Sequence, residues 1–229
     1  MLLFDEPFGA LDAQTRSHLR REIRALLKKV NVPAIFITHD QEEALELGDR
    51  IAVINLGNIE QIGTPAEVYN KPATEYVATF LGAANILEAM VRNDHLEIGT
   101  TAIRASVDRE KFKDGQPVKL VFRPEDVSLS KTSTLPQGHD CLASGFVEET
   151  SFVGAYERLR IRLDPSGGGT CDTTDPFYLT TETPESQGAK PIIVTRPKPE
   201  SMEVKIVRGD RVFLGLKSFT VLPQQRSQR

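Results

Sequence analysis

Two adjacent carboxylates, Asp5 and Glu6, directly follow a short apolar run at residues 2–4. The apolar run is typical of a buried strand, and adjacent residues at a strand end point to different sides, so the two acids can do different jobs. One carboxylate can hold Mg²⁺, directly or through water. The other can orient or deprotonate an attacking water molecule. A strand that ends in acids merely because it reaches solvent is the alternative interpretation.

A second apolar run, AIFIT at residues 34–38, ends in the same way at His39. Ligands of parallel α/β sheets bind at the carboxyl ends of the strands, so we expect His39 to share one sheet edge with Asp5 and Glu6. An imidazole can hydrogen-bond a terminal phosphate. Two neighbouring strands that deliver two acids and a histidine to one edge predict a site for phosphate chemistry.

The elements that must position these side chains alternate between strands and helices. Asp12 is a good N-cap for a helix in which apolar and basic residues occupy opposite faces. The apolar face carries Leu19, Ile23, Leu26, Leu27 and Val30, and the basic face, which we expect to be solvated, carries Arg16, Arg20, Arg24 and Lys28. HDQEEALELG predicts a short helix with a solvated, acidic start, RIAVINLGNIEQIG a hairpin, and the next residues two short helices broken at Pro72. This order predicts an α/β fold with a mostly parallel sheet.

The sequence pattern changes after Gly82, where helical periodicity fades and short β-rich runs appear. These runs predict an all-β region of barrel or sandwich type that begins near residue 85. They are NILEAMV, PVKLVF, ASGFVEETSFV, YERLRIRL, PIIVT, MEVKIV, RVFLGL and FTVL. We therefore divide the chain into residues 1–82 and 83–229, with an exposed, partly mobile excursion rich in Gly, Pro, Ser and Thr around residues 164–191.

The composition narrows the possible functions. The 229 residues are 39% hydrophobic and 26% charged, with a net charge of −4, so no global basic field attracts nucleic acid or anionic lipid. No apolar run approaches the length that spans a bilayer. The two cysteines, Cys141 and Cys171, share no metal-ligand spacing with each other or with the four histidines. We expect reduced thiols in a cytoplasmic setting.

Together, LLFDEPFGALD and IFITHDQEEAL resemble the ATPase subunits of ABC transporters. The first string is similar to the Walker B motif that runs into the D-loop, and the second to the H-loop that carries the switch histidine. The resemblance implies that Asp5 helps to hold Mg²⁺ and that Glu6 is the catalytic glutamate that polarises the attacking water. It also implies that His39 contacts the γ-phosphate of ATP. Asp12 would lie at the interface with a second ATPase subunit.

Two further strings resemble one group of importers, which transport sugars, sulfate, iron or polyamines. GDRIAVINLGNIEQIGTPAEVYNKPATEYVATFLG is similar to the end of their ATPase domain, and within it DQEEALELGDRIAVINLGNIEQIGTP is most like the sulfate/thiosulfate importers. KLVFRPEDVSL resembles a motif of their extra C-terminal TOBE domain, a small OB-like barrel that helps to hold two ATPase subunits together and can carry regulation or bind solute. The implied fold is the C-terminal part of a P-loop NTPase domain followed by an OB-like, TOBE-type domain.

The resemblance also implies partners and a location. The partners would be a second ATPase subunit in a homodimer, membrane permease subunits and, indirectly, an extracytoplasmic solute-binding protein. The protein would lie at the cytoplasmic face of the inner membrane of a bacterium, as a peripheral subunit. Nucleic acid is not expected as a partner, because the balance of charge is acidic and no basic-aromatic stripe is present.

The sequence departs from the family in lacking the P-loop string Gly-x-x-x-x-Gly-Lys-Ser/Thr, the ABC signature, the Q-loop and the adenine-stacking aromatic residue. In the family these precede Walker B, where this sequence begins. We therefore expect a truncated domain that binds ATP and Mg²⁺ only with the missing N-terminal half and is inactive alone. We also expect the β region to fold better than residues 1–80. The alternative function is a stand-alone regulatory, solute-binding or dimerisation module without ATPase activity.

Overall fold

The protein, in a computed structural model, is described for residues 1–9, 11–93, 95–98, 101–103, 108, 110–164 and 191–224. The chain separates into two compact units, Met1–Gly82, here called the α/β unit, and Ala83–Arg229, the β unit. The excursion predicted around residues 164–191 falls outside the described residues, except for its two end residues. No helix in the described ranges combines the length and the apolar character needed to cross a membrane.

The described residues of the α/β unit form four strands and four helices. β1 and β2 pair in parallel, from Leu2 opposite Ala34 to Asp5 opposite Ile37, as the alternation of elements predicts. β3 and β4 form the predicted hairpin. The elements are β1 (Leu2–Asp5), α1 (Ala13–Val30), β2 (Ala34–Ile37), α2 (Gln41–Leu47), β3 (Ile51–Asn55), β4 (Asn58–Gly63), α3 (Pro65–Asn70) and α4 (Glu75–Phe80).

Local sequence signals explain the second half of this unit. Leu56 and Gly57 link β3 to β4 with φ values of 47° and 80°, the two positive angles that a type I′ turn requires. Thr64 and Glu67 form a capping box at the start of α3, in which Glu67 Oε2 accepts from the Thr64 N–H at 2.9 Å and Thr64 Oγ1 accepts from the Glu67 N–H at 3.3 Å. A small core forms from Ile51, Val53, Val68, Val77 and Leu81.

The prediction that β1 and β2 are buried is wrong for the described unit. Leu3 is 65% exposed and Ile37 is 51% exposed. The reason is that the described β1–β2 sheet has only two strands, too few to form a covered sheet of its own. Phe8, which follows β1, is fully buried and stacks against Phe36, and Phe36 stacks in turn on Phe4 with ring centroids 4.6 Å apart.

The basic face of α1 is only in part the solvated surface that we predicted, because the Lys28 side chain is 62% exposed whereas Arg20 is buried. Its side chains pair with the acids of the α2 segment, and Arg20 is only 3% exposed. The partner numbers increase together along the two helices, so α1 and α2 run in the same direction. We call this set of ion pairs the ladder. Its pairs are Arg16–Asp40 at 3.0 Å, Arg20–Glu42 at 3.5 Å, Arg20–Glu46 at 2.9 Å, Arg24–Asp49 at 3.6 Å and Lys28–Asp49 at 3.9 Å.

The ladder reverses the orientation that the apolar pattern of α1 indicates. Because the basic side chains face α2, the apolar face of α1 is left partly uncovered, with Leu26 and Val30 each more than half exposed. Apolar area normally stabilises a protein by leaving water. The exposed sheet and helix faces therefore make the α/β unit the less completely buried of the two units.

Among its described residues, the β unit forms two five-stranded sheets, and its strands begin at Asn85, as predicted. The sheet orders are β12-β11-β10-β13-β9 and β14-β8-β5-β6-β7, and one core that includes Val118, Leu120, Leu159 and Leu214 is formed from both. The elements are β5 (Asn85–Arg92), β6 (His95–Ile98), β7 (Thr101–Ile103), β8 (Pro117–Phe122), β9 (Val127–Ser130), β10 (Asp140–Val153), β11 (Tyr156–Leu163), β12 (Ile192–Pro197), α5 (Lys198–Glu203), β13 (Arg211–Leu216) and β14 (Thr220–Pro223).

Two expectations for the β unit are wrong. The run MEVKIV at residues 202–207 is not a strand: α5 covers its start, because Pro199 fits the first turn of a helix and cannot donate to a strand ladder. Cys141 is disulfide-bonded, whereas we expected reduced thiols. Cys171 lies outside the described residues. The short strands β6, β7 and β9 were not anticipated, since runs of three or four residues carry little alternation.

A buried asparagine joins the two sheets of the β unit. Asn85 in β5 is 5% exposed, and its side-chain amide pairs with the backbone of Ile193 in β12. Asn85 Nδ2 donates to the Ile193 carbonyl at 2.8 Å, and the Ile193 N–H donates to Asn85 Oδ1 at 2.8 Å. Both backbone groups of Ile193 that face the other sheet therefore depend on one side chain.

We expect Asn85→Ala to destabilise the β unit by about 2 to 4 kcal/mol, because two buried backbone groups lose their partner. Glu88→Ala, at an exposed position of the same strand, is the matched control. Urea unfolding followed by the amide NMR signals of Leu159 and Leu214 measures the difference. Equal midpoints for the two variants would show that the Asn85 bridge does not hold the sheets together.

The capping box predicts a pH effect on the α/β unit. The Thr64 N–H and then the Thr64 hydroxyl lower the pKa of Glu67 from its ordinary value of 4.5. Because the folded pKa is the lower one, the stabilisation by Glu67 is present above the unfolded pKa and is lost as pH falls through the folded pKa. Glu67→Gln does not titrate.

The urea midpoint of the native protein should therefore exceed that of Glu67→Gln at about pH 6, and the gap should shrink at about pH 3. Circular dichroism of the helices reports this unit, since α1–α4 lie within it. Glu22→Gln, at an exposed position of α1, should show no such gap. A gap that widens in acid would reverse the sign assigned to Glu67.

Candidate functional site

The end of β1 places Glu6 in an unusual backbone conformation. Its N–H donates to the Ile37 carbonyl at 2.9 Å, which extends the hydrogen bonding between β1 and β2 by one bond. Its φ is then 44°, a left-handed value that residues other than glycine rarely adopt. The Gly9 N–H donates back to the Glu6 carbonyl at 3.3 Å and closes the turn. The chain thus turns directly after the strand, and strain of this kind is concentrated at functional sites.

The structure brings Glu6 and His39 into direct contact. Glu6 Oε1 and His39 Nδ1 lie 2.9 Å apart. An ionised carboxylate can only accept, so Nδ1 carries the proton and donates. His39 Nε2 is left for another group, and both side chains are more than half exposed. The pair therefore joins the ends of two parallel strands and remains open to a ligand from solvent.

Asp5 lies beside this pair, as the last residue of β1 and opposite Ile37 of β2. Its side chain is exposed, and within the described ranges its carboxylate has no hydrogen-bond or ion-pair partner. Mg²⁺ is usually held in proteins by one or two carboxylates while it keeps several waters. An exposed carboxylate of this kind could serve as one ligand of such an ion.

Asp12 is used within its own helix. Its Oδ1 accepts from the N–H groups of Gln14 at 3.1 Å and Thr15 at 3.0 Å, which makes it the N-cap of α1. The backbone N–H and then the hydroxyl of Thr15 hold the pKa of Asp12 below its ordinary value. Within the described ranges the structure does not bring the Asp12 carboxylate into contact with the Glu6–His39 pair.

His39 is flanked by two residues that are tightly hydrogen-bonded. Asp40 is the N-cap of α2, and its Oδ1 accepts from the Glu42 N–H at 2.8 Å and the Glu43 N–H at 3.4 Å. Thr38 Oγ1 donates to Glu43 Oε2 at 2.5 Å and accepts from the Asp40 N–H at 3.0 Å. The position of His39 is therefore fixed by the start of α2. Glu43 is buried, so the predicted solvated start of this helix is wrong in that residue.

The charge of Asp40 is stabilised despite partial burial. Burial acts to raise the pKa of Asp40, but the N–H groups of Glu43 and Glu42 and the Arg16 guanidinium together hold the pKa below its ordinary value. Asp40 thus remains anionic beside His39 and can accept from Arg16 across the gap between the two helices.

Sequence reasoning missed Arg16, Thr38 and Glu43 as contributors to this region. The signal was present in the opposite charges of the two segments: basic residues recur every four positions in α1, and five acids lie between residues 40 and 49. Each set alone is typical of a solvated face, and only the pairing of the two sets indicates an interface.

The described edge carries two carboxylates and an imidazole, which are the kinds of group that can hold a cation, orient a water molecule and bind an oxyanion. It does not offer a phosphate cradle of the P-loop kind, because the 229 residues contain no Gly-x-x-x-x-Gly-Lys-Ser/Thr string.

Comparison with known proteins identifies relatives of one kind. No protein-family profile matches the chain. A sulfate/thiosulfate import ATP-binding protein of Nitrosomonas europaea is 35% identical over 225 residues, which are 97% of this chain and 54% of that protein. A spermidine/putrescine import ATP-binding protein of Oleidesulfovibrio alaskensis is 42% identical over 174 residues, which are 73% of this chain and 46% of that protein.

Among solved structures, the molybdate-bound, PEG-grown form of the cytoplasmic molybdate-binding protein ModG matches with a TM-score of 0.42 and 16% identity, over 60% of this chain and 92% of that chain. That similarity is too low to assign a fold. The relatives at 35% and 42% identity decide the family. The chain is homologous to the ATP-binding subunits of ABC importers, and it spans about half the length of the relatives it matches.

Proposed function

We propose that this chain supplies the water-activating and magnesium-binding side of the ATPase site in the energy-coupling subunit of an ABC importer. The observation that carries the proposal is the 2.9 Å contact between Glu6 and His39 at the carboxyl ends of two parallel strands, beside the free carboxylate of Asp5. The homology to import ATP-binding proteins supports the same assignment.

Each residue has a distinct role in this proposal. Asp5 would hold Mg²⁺, which neutralises charge on the phosphates when it is bound. Glu6 Oε2 is free of His39 and orients the attacking water and accepts its proton. His39 keeps Nδ1–H on Glu6 Oε1 and presents Nε2 to the terminal phosphate, to which it donates when the ring is protonated. Asp12 would face a second subunit.

A further polypeptide segment has to complete this site. The exposed apolar side chains of Leu3, Ile37, Leu26 and Val30 need cover, and the phosphates need a cradle that these residues do not supply. One segment that carries the P-loop and packs on the β1–β2 sheet would meet both needs. The α/β unit is on this account the C-terminal part of a P-loop NTPase domain.

The importer context extends the proposal to partners and solute. Sulfate or thiosulfate is the proposed solute, because sulfate/thiosulfate import ATP-binding proteins are the most frequent among these relatives, beside import proteins for polyamines and iron(III). Polyamine, iron and sugar are the alternatives. The β unit would be an OB-like, TOBE-type domain that joins two ATPase subunits. The protein would act with permease subunits and an extracytoplasmic solute-binding protein, at the cytoplasmic face of a bacterial inner membrane.

A regulatory or solute-binding module without ATPase activity is the second candidate function. The β unit favours it, because it has a complete core of its own, with side chains from Ala89 to Leu216 buried together. In that case the acids of the α/β unit would serve no reaction. ATP hydrolysis by a completed site separates the two functions.

We predict that the 229-residue chain alone binds MgATP too weakly for micromolar calorimetry, because the phosphates lack their cradle. A fusion that places the P-loop-bearing segment of the Nitrosomonas europaea relative before Met1 should bind and hydrolyse MgATP. In that fusion Glu6→Gln should lower kcat by at least about a hundredfold, the size typical of losing a general base.

Glu22→Gln is the matched control, since Glu22 is an exposed glutamate of α1 away from the sheet edge. It should leave kcat unchanged. Micromolar MgATP binding by the chain alone would refute the need for a further segment. A fusion that hydrolyses ATP equally well with Gln at position 6 would refute the role of Glu6.

A further inference from the structure

Arg16 joins two segments of the site that are far apart in sequence. Its Nη1 donates to Asp40 Oδ2 at 3.0 Å, and its Nη2 donates to the Leu11 carbonyl at 3.0 Å. The Arg16 and Asp40 side chains are 29% and 24% exposed, so the contact is partly shielded from water. A single planar group thus fixes the spacing between the turn before α1 and the start of α2.

The two acceptors adjoin the residues with proposed roles. Leu11 directly precedes Asp12, and Asp40 directly follows His39. Both Asp12 and Asp40 are N-caps, so neither can shift without disturbing the first turn of its own helix. A movement of the Leu11–Asp12 turn therefore reaches His39 through the guanidinium of Arg16 and the backbone of Asp40.

We propose that Arg16 is a positioning residue that couples the Leu11–Asp12 turn to His39. The inference rests on the proposed function, in which Asp12 faces a second subunit and His39 faces the terminal phosphate. Binding of a second subunit to the Leu11–Asp12 turn would then determine the position of His39 in the site. In this proposal Arg16 acts only through the two segments that it joins and has no contact with the nucleotide.

The other rungs of the ladder do not share this geometry. Arg20 is buried between Glu42 and Glu46, which holds the two helices together. Arg24 donates to the Glu46 carbonyl and pairs with Asp49 beyond the end of α2. Neither side chain contacts the Leu11–Asp12 turn among the described residues. Arg24 is therefore the matched control for a role confined to helix packing.

The rigid fork distinguishes arginine from lysine at this position. Two N–H groups of one guanidinium satisfy two acceptors in a fixed geometry, whereas an ammonium on a flexible stem acts as a point charge. Arg16→Lys should keep the ion pair with Asp40 and lose the fixed spacing to Leu11. The Arg16→Lys variant therefore tests the coupling while the positive charge at position 16 is kept.

The test uses the whole 229-residue chain and needs no nucleotide. Asp12→Ala perturbs the Leu11–Asp12 turn, and the ¹⁵N shifts of the His39 ring report the response. We expect Asp12→Ala to move these shifts in the native background and in Arg24→Gln. In Arg16→Gln and Arg16→Lys the response should fall by at least half, while amide NMR spectra verify that each variant stays folded.

A second readout is the kinetics of the fusion described above. Arg16→Gln and Arg16→Lys should lower kcat by about tenfold to a hundredfold with KM unchanged, as expected for a misplaced catalytic group, and Arg24→Gln should not. If the fusion fails to hydrolyse ATP, the proposed function is wrong, yet the ring shifts still decide the coupling.

Two results would overturn the coupling. One is a His39 response to Asp12→Ala that persists in full in Arg16→Gln. The other is a response that Arg24→Gln abolishes equally, which would make Arg16 an ordinary rung of the ladder. Should Arg16→Gln fail to fold, the Arg16→Lys variant decides between these outcomes, because it retains the charge that pairs with Asp40.

Discussion

The parallel pairing of β1 with β2 is the constraint on which the candidate site depends. Its last bond joins the Glu6 N–H to the Ile37 carbonyl, and at Glu6 the chain turns with a positive φ and the side chain lies 2.9 Å from His39. Residues 33 positions apart meet only because the strands run in the same direction and end together. Asp5 completes the edge as the final residue of β1. The pairing of the two strands thus brings the Glu6 carboxylate and the His39 imidazole together.

The ladder between α1 and α2 explains why apolar surface of α1 is exposed to solvent. It directs the basic face of α1 to the acids of the α2 segment and leaves the apolar face partly exposed. Ion pairs with one exposed partner contribute little to stability, so the ladder acts mainly by orienting the two helices against each other. In the proposed function, one further segment would both bury this exposed apolar surface and supply the phosphate cradle.

The sequence predicted local features well, because they depend on near neighbours. The N-cap at Asp12, the hairpin turn at Leu56 and Gly57, and the strand at YERLRIRL each follow from a few adjacent residues. Exposure was predicted poorly, because it depends on which elements are present to cover a strand, and an apolar run such as residues 2–4 carries no such information. The ladder was missed for a related reason, since Arg16 and Asp40 are paired only by the three-dimensional path of the chain.

Paramagnetic relaxation tests the central claim most directly, namely that Asp5, Glu6 and His39 form the metal-facing edge of an ATPase site. Mn²⁺ replaces Mg²⁺ at carboxylate sites and broadens nearby NMR signals. With Mn²⁺ and ADP added to the completed fusion, the account predicts the strongest broadening at the amides of Asp5 and Glu6 and at the His39 ring. Broadening centred elsewhere, or equal broadening after Asp5→Asn, would contradict it.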